Sequence, residues 1–242
     1  MASSGMSLVP TARTEDVLEQ LPISRTTEYA KGRVIYGPDN PSNYVYLVVS
    51  GKVTTSRTAA DGTQVLLEII LPDEIFGESS FLNMPHRPER AIALESSKVM
   101  KWAVSDFEDL VSKRPRLSVA LLQIFAQRNA DSASRIESFA TDNIEQRLAR
   151  SLLHFSARLG TVEAGGAEHM MPFTHLFLSQ YIGTTREIVT QHMNRLRNRG
   201  FISYSRLGIQ LYRENLTAVL EAGPSPSTAH QKSQGSIYEN QT

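Results

Sequence analysis

The stretch that decides the fold is LSQYIGTTREIVTQHMNRLRNRG, which runs from Leu178 to Gly200. Two short helices fit this stretch better than one long helix. Thr174 is a good N-cap for a first helix through HLFLSQYIG, because its hydroxyl can accept from an early backbone N–H. Gly183 ends that helix, and Thr184 or Thr185 is expected to cap a second one. The stretch therefore predicts a helix-turn-helix.

The other side chains of the stretch fit the same motif. A small residue is needed where the two helices cross, and Ser179 stands there. Apolar residues are needed on the inner faces of both helices, and these are Leu178, Ile182, Ile188, Val189 and Met193. His192 departs from the pattern, because a small or apolar residue is expected at its position.

The second helix carries residue types that suit base recognition. Arg can donate two hydrogen bonds to guanine, Glu can accept from cytosine, and Gln can pair with adenine. Two short strands in GFISYSRLGIQLYRE follow, and an arginine at the tip of such a wing is placed to contact the phosphate backbone. The residues expected to contact double-stranded DNA are Thr184, Thr185, Arg186, Glu187, Thr190, Gln191, Arg195 and Arg206. The alternative is a helical hairpin whose Arg and Glu are only surface charges.

The first part of the chain has a different pattern. From about Thr27 to Val104, short β-branched and aromatic runs such as YVYLVVSG and QVLLEIIL alternate with turn signals such as Asp61-Gly62. This density of strands predicts an all-β sandwich, barrel or roll. Ser105 is then expected to cap a helix, with Glu108 as its capping-box partner.

A long helix is predicted for PRLSVALLQIFAQRNADSASRIESFA, which has no Gly and only its opening Pro. A helix of roughly 24 residues is about 36 Å long. This length exceeds what a small domain needs to cover itself, so we expect the helix to contact its counterpart in a second copy of the chain. The alternative is that the helix packs only on the β unit.

The composition excludes several classes of protein. The chain has no cysteine, which excludes disulfides and cysteine-ligated iron–sulfur clusters. The histidines share no metal-ligand spacing, and no nucleophile elbow or Walker loop is present, so we expect neither a metal site nor an enzyme. No apolar run approaches the length of a membrane span, which favours a cytoplasmic protein without membrane contact. The net charge is zero, but residues 143–213 hold 9 Arg against 4 Glu.

The order of a β-rich domain, a long helix and a winged helix-turn-helix resembles the cyclic AMP receptor protein and FNR (CRP/FNR) superfamily of bacterial transcription regulators. A second motif, IFGESSFLNMPHRPERAIALESS, resembles the phosphate-binding cassette of cyclic-nucleotide-binding domains. In that cassette a Gly-Glu pair is followed, after a short helix, by Arg and a small residue. Arg90 matches the phosphate-binding Arg best, although it follows Glu78 by two or three residues more than usual, and Arg87 is the alternative.

The resemblance implies an α+β fold with an N-terminal β-roll of the cyclic-nucleotide-binding jelly-roll type, a long dimerisation helix and a C-terminal winged helix-turn-helix. The expected divisions are an N-terminal extension (1–20), an effector-sensing β-roll (21–115), the dimerisation helix (116–140), the DNA-binding domain (141–222) and a disordered tail (223–242). The effector-binding residues that the resemblance implies are Gly77, Glu78, Ser79, Arg87, Arg90, Ala91 and Ser132.

The resemblance also implies a function. We expect a homodimeric, sequence-specific DNA-binding transcription regulator, with RNA polymerase as a further partner. A cyclic nucleotide, cyclic AMP or cyclic GMP, is the favoured effector, while another small effector or none stays open. The alternative is a cyclic-nucleotide-binding regulatory module that acts through protein contacts without DNA. The sequence favours neither activation nor repression.

Overall fold

The structure is a computed structural model that describes residues 21–221 except 23, 42, 83, 164 and 165. The predicted N-terminal extension and C-terminal tail lie outside the described residues. The chain divides into two compact units between Ile136 and Glu137. The exact domain limits given above stay predictions.

Two antiparallel sheets form the β-roll of the first unit. Its strands are β1 (Thr26–Tyr29), β2 (Val34–Tyr36), β3 (Tyr44–Ser50), β4 (Val53–Thr58), β5 (Gln64–Ile70), β6 (Ile75–Phe76), β7 (Arg90–Ala93) and β8 (Ser97–Ala103). They pair in the orders β1-β8-β3-β6 and β2-β7-β4-β5. The turn between β4 and β5 contains Asp61 and Gly62, as predicted, and the Asp61 carboxylate accepts from the backbone N–H of Thr63 at 2.9 Å.

Aromatic side chains fill the space inside the roll. The rings of Tyr36 and Tyr46 lie 5.1 Å apart, and those of Tyr46 and Phe76 lie 5.2 Å apart between ring centroids. All three are buried together with Val48, Val53 and Ile70. Burial of each large apolar side chain contributes about 1.5–3 kcal/mol, so this cluster is a main source of the roll's stability.

Two helices follow the roll, α1 (Val104–Lys113) and α2 (Pro115–Thr141). The prediction that Ser105 and Glu108 form a capping box is wrong, because the N-cap is Ala103 and it makes no side-chain cap. The cause is tertiary: β8 stays paired with β3 as far as Ala103. The backbone N–H of Val104 donates to Asn43 O at 3.0 Å, so the helix starts directly from the strand.

The long helix α2 has 27 residues and is therefore about 40 Å long. Leu117 and Leu121 pack against Trp102 and Phe107 in a second apolar cluster of the first unit. Farther along, the guanidinium of Arg135 donates to two backbone carbonyls of β5, at 2.8 and 3.1 Å. One face of α2 is thus fixed to the β-roll.

The second unit combines helices with a small antiparallel sheet. Its elements are α3 (Ile144–Leu159), β9 (Thr161–Val162), β10 (Glu168–Met170), α4 (His175–Ile182), α5 (Arg186–Asn198), β11 (Ile202–Tyr204), β12 (Ile209–Leu211) and α6 (Arg213–Glu221). The strand order is β11-β12-β10-β9. The predicted α+β architecture of a β-rich domain, a long helix and a C-terminal helix-turn-helix is confirmed. Among the residues described, no helix is both long and apolar enough to cross a bilayer.

The turn between α4 and α5 has the predicted form. The Thr174 hydroxyl accepts from Phe177 N at 3.0 Å and caps α4, and the Thr185 hydroxyl accepts from Ile188 N at 3.4 Å and caps α5. Gly183 ends α4 with φ of 68°, a left-handed conformation that disfavours other residues. A Cβ on Gly183 would also lie 3.1 Å from Cε1 of Phe139, so the site leaves little room for a side chain.

Candidate nucleic-acid interface and effector site

Helix α5 has one buried and one exposed face. Val189, Met193 and Leu196 are almost fully buried in the core of the second unit. Arg186 and Gln191 are exposed, and within the described part of the chain their side chains make no hydrogen bond or ion pair. Their donors and acceptors are therefore available to an external partner.

Glu187 stands beside Arg186 on the first turn of α5. Its own backbone N–H and the Thr185 hydroxyl lower the pKa of its carboxyl group, and Arg186 adds to the effect. The carboxylate is therefore ionised at neutral pH and can act as an acceptor. Its exposure places this acceptor on the same turn as the free Arg186 guanidinium.

The three threonines of the predicted DNA contacts have different surroundings. Thr184 is half-buried in the turn, and Thr185 is exposed but its hydroxyl caps α5. Thr190 donates to Arg186 O at 2.9 Å, and its oxygen lies 2.8 Å from Nδ1 of His175. Burial and the charge of Arg186 lower the pKa of His175, which favours a neutral ring. Thr190 is thus already hydrogen-bonded inside the motif.

His192 and Arg195 point to a different neighbour, the carboxylate of Glu145 in α3. Nδ1 of His192 lies 3.5 Å from Oε2 of Glu145, and Arg195 Nη1 lies 3.1 Å from the same oxygen. Burial lowers the pKa of His192, partly offset by Glu145. The unexpected histidine of the sequence motif therefore faces an acidic side chain of α3.

The predicted wing is the hairpin of β11 and β12. Ser205 N donates to Gly208 O at 2.9 Å and closes the turn, which leaves Arg206 and Leu207 exposed at its tip. In the residues that the structure covers, the Arg206 side chain has no hydrogen bond or ion pair. Its charge is available to a polyanion.

The cassette residues of the first unit lie together around a short 3₁₀ helix, Glu78–Leu82. Gly77 precedes this helix with φ of 82°, and a Cβ there would lie 2.7 Å from Nη1 of Arg87. Ser79 is buried and its hydroxyl donates to the buried carboxylate of Glu89. Ala91 is fully buried in β7, which is paired on both sides.

The two candidate phosphate-binding arginines differ sharply. Arg87 is 1% exposed, its Nη1 donates to Gly77 O at 2.8 Å, and its Nη2 donates to Tyr44 O. Its guanidinium also lies 4.3 Å from the centroid of the Tyr36 ring. Arg90 is only half-buried, and among the described residues its side chain has no hydrogen bond or ion pair. Arg87 thus joins the backbone of the cassette to that of β3, whereas Arg90 makes no such contact with the described residues.

Helix α2 contributes Arg128 to the cassette. Its Nη2 donates to Ile75 O at 2.6 Å, its Nε lies 3.2 Å from Glu68, and its Nη1 lies 3.5 Å from Glu78. Ser132, the predicted helix residue of the site, is exposed on α2 one turn after Arg128. The structure therefore brings Gly77, Glu78, Ser79 and Arg87 together around the 3₁₀ helix, while the role of Ser132 stays a prediction.

Sequence reasoning missed three residues that order these sites, namely Arg128, Glu145 and His175. Arg128 had a detectable signal, since it is a charged residue on the otherwise apolar face of a predicted helix. Glu145 and His175 had none, because their partners come from other helices. Within the described range, no three His, Asp or Glu side chains cluster as metal ligands.

Two family models match the chain. The cyclic nucleotide-binding domain matches residues 26–114, and the Crp-like helix-turn-helix domain matches residues 146–218. Together they account for about two thirds of the sequence. The first match covers the β-roll with its cassette, and the second covers α4, α5 and the wing.

Similar proteins share both parts. The chain is 26% identical over 175 residues to the CRP-like cAMP-activated global transcriptional regulator of Mycobacterium tuberculosis, covering 72% of this chain and 78% of the relative. It is 25% identical over 194 residues to the global nitrogen regulator of Nostoc, covering 79% and 86%. Its fold resembles that of FixK2 from Bradyrhizobium japonicum, with a TM-score of 0.71, 23% identity and coverage of 84% and 100%. With both domain models in their expected order, the chain belongs to the CRP/FNR superfamily of transcription regulators.

Proposed function

We propose that this protein reads a specific DNA sequence with the first two turns of α5 and regulates transcription from that site. The observation that carries the proposal is the exposed face of α5, where Arg186, Glu187 and Gln191 stand together. The side chains of Arg186 and Gln191 make no hydrogen bond or ion pair in the described chain. A rigid, capped helix that presents free donors and acceptors suits the major groove.

The proposed contacts fall into two groups. Arg186, Glu187 and Gln191 read base edges, since their side chains can pair with guanine, cytosine and adenine respectively. The residues proposed to position the motif on the backbone are Thr184, Thr185, Thr190 and Arg206, together with Arg195 when it leaves its ion pair with Glu145. Phosphate contacts of this kind set affinity and orientation but carry no sequence information.

Selection from a random DNA library tests this function. The selected sites are expected to be two-fold symmetric, with half-sites centred about 34 Å apart, one helical turn of DNA. Fluorescence anisotropy should then show tighter binding to the selected duplex than to a scrambled one. Failure to enrich any sequence would contradict the proposal. It would favour the alternative, a regulatory module that acts through protein contacts without DNA.

A symmetric site requires two copies of α5, and we propose that α2 pairs two chains. Val119, Leu122 and Ile136 are 53%, 68% and 68% exposed on α2. Together with exposed small or polar residues they form a seam with alternating steps of three and four, namely Val119, Leu122, Ala126, Asn129, Ala133 and Ile136. This spacing is that of a coiled-coil interface, in which a single Asn specifies register. The face that packs on the β-roll is a different one.

A charge in this seam should separate the dimer. L122E places a carboxylate in the proposed interface, while the matched variant Q123E places the same charge on the neighbouring exposed position. Light scattering after size-exclusion chromatography is expected to give a dimer for the parent and Q123E and a monomer for L122E. A dimeric L122E would place the interface elsewhere.

We further propose that the β-roll binds a small anionic effector through Arg90, with a cyclic nucleotide favoured. Support comes from Arg90, which is half-buried at the start of β7 and makes no hydrogen bond or ion pair with the described residues. Glu78 remains 44% exposed despite its ion pair with Arg128, so it can still accept from a ribose hydroxyl. The relatives do not agree on an effector, because one is described as cAMP-activated and another as a global nitrogen regulator. The proposed effector class therefore rests on the side chains of Arg90 and Glu78.

Calorimetric titration with cyclic AMP, cyclic GMP, cyclic di-GMP and 2-oxoglutarate tests the effector. One of the cyclic nucleotides is expected to bind the parent and to bind R90M at least about tenfold more weakly, because a charge-assisted contact is lost. R57M removes an exposed arginine from the same unit and serves as the control. Absence of binding by all four compounds would contradict an effector of this class.

Bound effector would change DNA affinity only if it binds two arrangements of the protein with different affinity. We propose such coupling, action in the bacterial cytoplasm and contact with RNA polymerase as parts of the same function. An enzymatic role is not favoured, because the relatives are transcription regulators.

A further inference from the structure

Glu145 occupies a fixed position between α3 and α5. It lies in the first turn of α3, where Asn143 and Gln146 form a reciprocal capping box, with both hydrogen bonds at 3.0 Å. Its side chain is only 14% exposed. The capped helix start therefore holds this carboxylate in place.

Two arginines at the C-terminal end of α5 converge on this carboxylate, Arg195 within the helix and Arg199 as its C-cap. Arg199 Nη1 donates to Oε1 at 2.7 Å, and Arg195 Nη1 donates to Oε2 at 3.1 Å. Both arginine side chains remain about half exposed, at 46% and 52%. They are thus accessible from solvent but directed toward an internal anion.

Glu145 faces a group of basic side chains at the end of α5. His192, Arg195 and the C-cap Arg199 face it, and only His192 among them can lose its charge near neutral pH. Since burial lowers the pKa of His192, its ring is mainly neutral there. One carboxylate therefore offsets part of the charge of two arginines on the helix that reads DNA.

We infer that Glu145 is a specificity-determining residue that competes with DNA phosphates for Arg195 and Arg199. The inference rests on the proposed reading of DNA by α5. Sequence-independent affinity grows with the number of phosphates that arginines neutralise, because each contact releases counterions. By holding two arginines, Glu145 limits this general attraction and leaves discrimination to Arg186, Glu187 and Gln191.

The inference gives Glu145 an effect opposite to that of an ordinary positioning residue. A residue that merely oriented Arg195 and Arg199 toward phosphates would weaken DNA binding when removed. A competing residue strengthens binding when removed, and more so on non-specific DNA, where phosphate contacts supply nearly all the affinity. The ratio of specific to non-specific affinity therefore falls in the variant.

The test compares E145Q with E214Q on a selected duplex and on a scrambled duplex. Glu214 lies exposed in the first turn of α6, so E214Q makes the same change of net charge in the same unit, away from the arginines. One or two freed arginines are expected to steepen the slope of log affinity against log salt by about 0.9 to 1.8. Between 50 and 200 mM salt, the affinity advantage of E145Q over the parent should then shrink by about 3.5- to 12-fold.

A second comparison guards against loss of folding in E145Q. In the parent, R199Q should change the salt slope much less than R206Q, because Arg199 is held by Glu145 and Arg206 is free. Circular dichroism first checks that E145Q is folded. In the E145Q background, R199Q should then reduce the slope of log affinity against log salt by about 0.9.

Three outcomes would overturn the inference. These are weaker binding by E145Q, a salt slope equal to that of E214Q, or equal slope changes in R199Q and R206Q. A parent protein that binds no DNA would instead refute the proposed function, so the two failures are distinguishable. A steeper slope with a reduced specificity ratio in E145Q supports the competition.

Discussion

The cassette of the β-roll and the start of α5 both place arginine among glutamates, yet they use the arginine in opposite ways. Arg87 is buried and donates to the backbone of Gly77 and Tyr44, whereas Arg186 is exposed and makes no hydrogen bond or ion pair within the described chain. The difference teaches that an arginine in a motif indicates a ligand-binding site only when its N–H donors are not already bound to the protein itself. Arg90, three positions away, is the cassette arginine that makes no hydrogen bond or ion pair with the described residues.

The largest effect is expected from removing the inward arginine. R87M should lower the free energy of unfolding of the β-roll by about 2–4 kcal/mol, because two backbone carbonyls lose a charged donor inside the core. Trp102, the chain's single tryptophan, is 7% exposed and lies in this unit, so its fluorescence during urea unfolding reports the change.

R90M is the matched control for this comparison. Arg90 makes no hydrogen bond or ion pair with the described residues, so its loss should change the stability by about 0.5 kcal/mol or less. Equal costs for R87M and R90M would remove the distinction between a structural and a ligand-binding arginine.

The turn before α5 should give the next largest effect. G183A forces alanine into a left-handed conformation, at about 1–2 kcal/mol, and adds a contact of 3.1 Å with Phe139. G200A has the same backbone problem with φ of 74° but no atom within 4 Å of the new Cβ. The melting temperature of the second unit, followed by circular dichroism, should fall further in G183A. A fall of the same size in both variants would mean that the contact with Phe139 costs nothing.

The smallest effect concerns pH and the histidine that faces Glu145. Burial lowers the pKa of His192 in the folded state, so folding favours the neutral ring. This contribution is fully present above the unfolded pKa of about 6.5 and is lost as pH falls through the lower folded pKa. The second unit should therefore have a lower melting temperature near pH 5.5 than near pH 7.5.

H192Q should reduce the dependence of the melting temperature on pH. A smaller dependence should remain in this variant, because burial also lowers the pKa of His175. The measurement is the thermal midpoint of parent and variant across this pH range. A parent that becomes more stable on acidification would show that the attraction of Glu145 for a charged ring outweighs burial.

Local chemistry explains which parts of the molecule could be predicted. The caps at Thr174 and Thr185 and the left-handed Gly183 act within a few residues, so the helix-turn-helix could be read from its own stretch. The cap at Ser105 was predicted on the same grounds and is wrong, because the pairing of β8 with β3 sets where that helix begins.

Contacts between distant segments could not be predicted in this way. Arg87 meets Tyr44 across 43 residues, and Arg195 meets Glu145 across 50. No local pattern records either pair, so the sequence favoured Arg90 but kept Arg87 as an alternative, and it left His192 without an explanation. Burial and partner atoms distinguish them.

The most direct test of the account is the affinity of R186A for the selected duplex. Loss of a bidentate base contact should weaken binding about 5- to 150-fold, equivalent to roughly 1–3 kcal/mol, with little change on scrambled DNA or in stability. R206A should instead weaken binding to both duplexes alike, because a phosphate contact carries no sequence information. If R186A bound the selected duplex as tightly as the parent, α5 would not be the element that reads DNA.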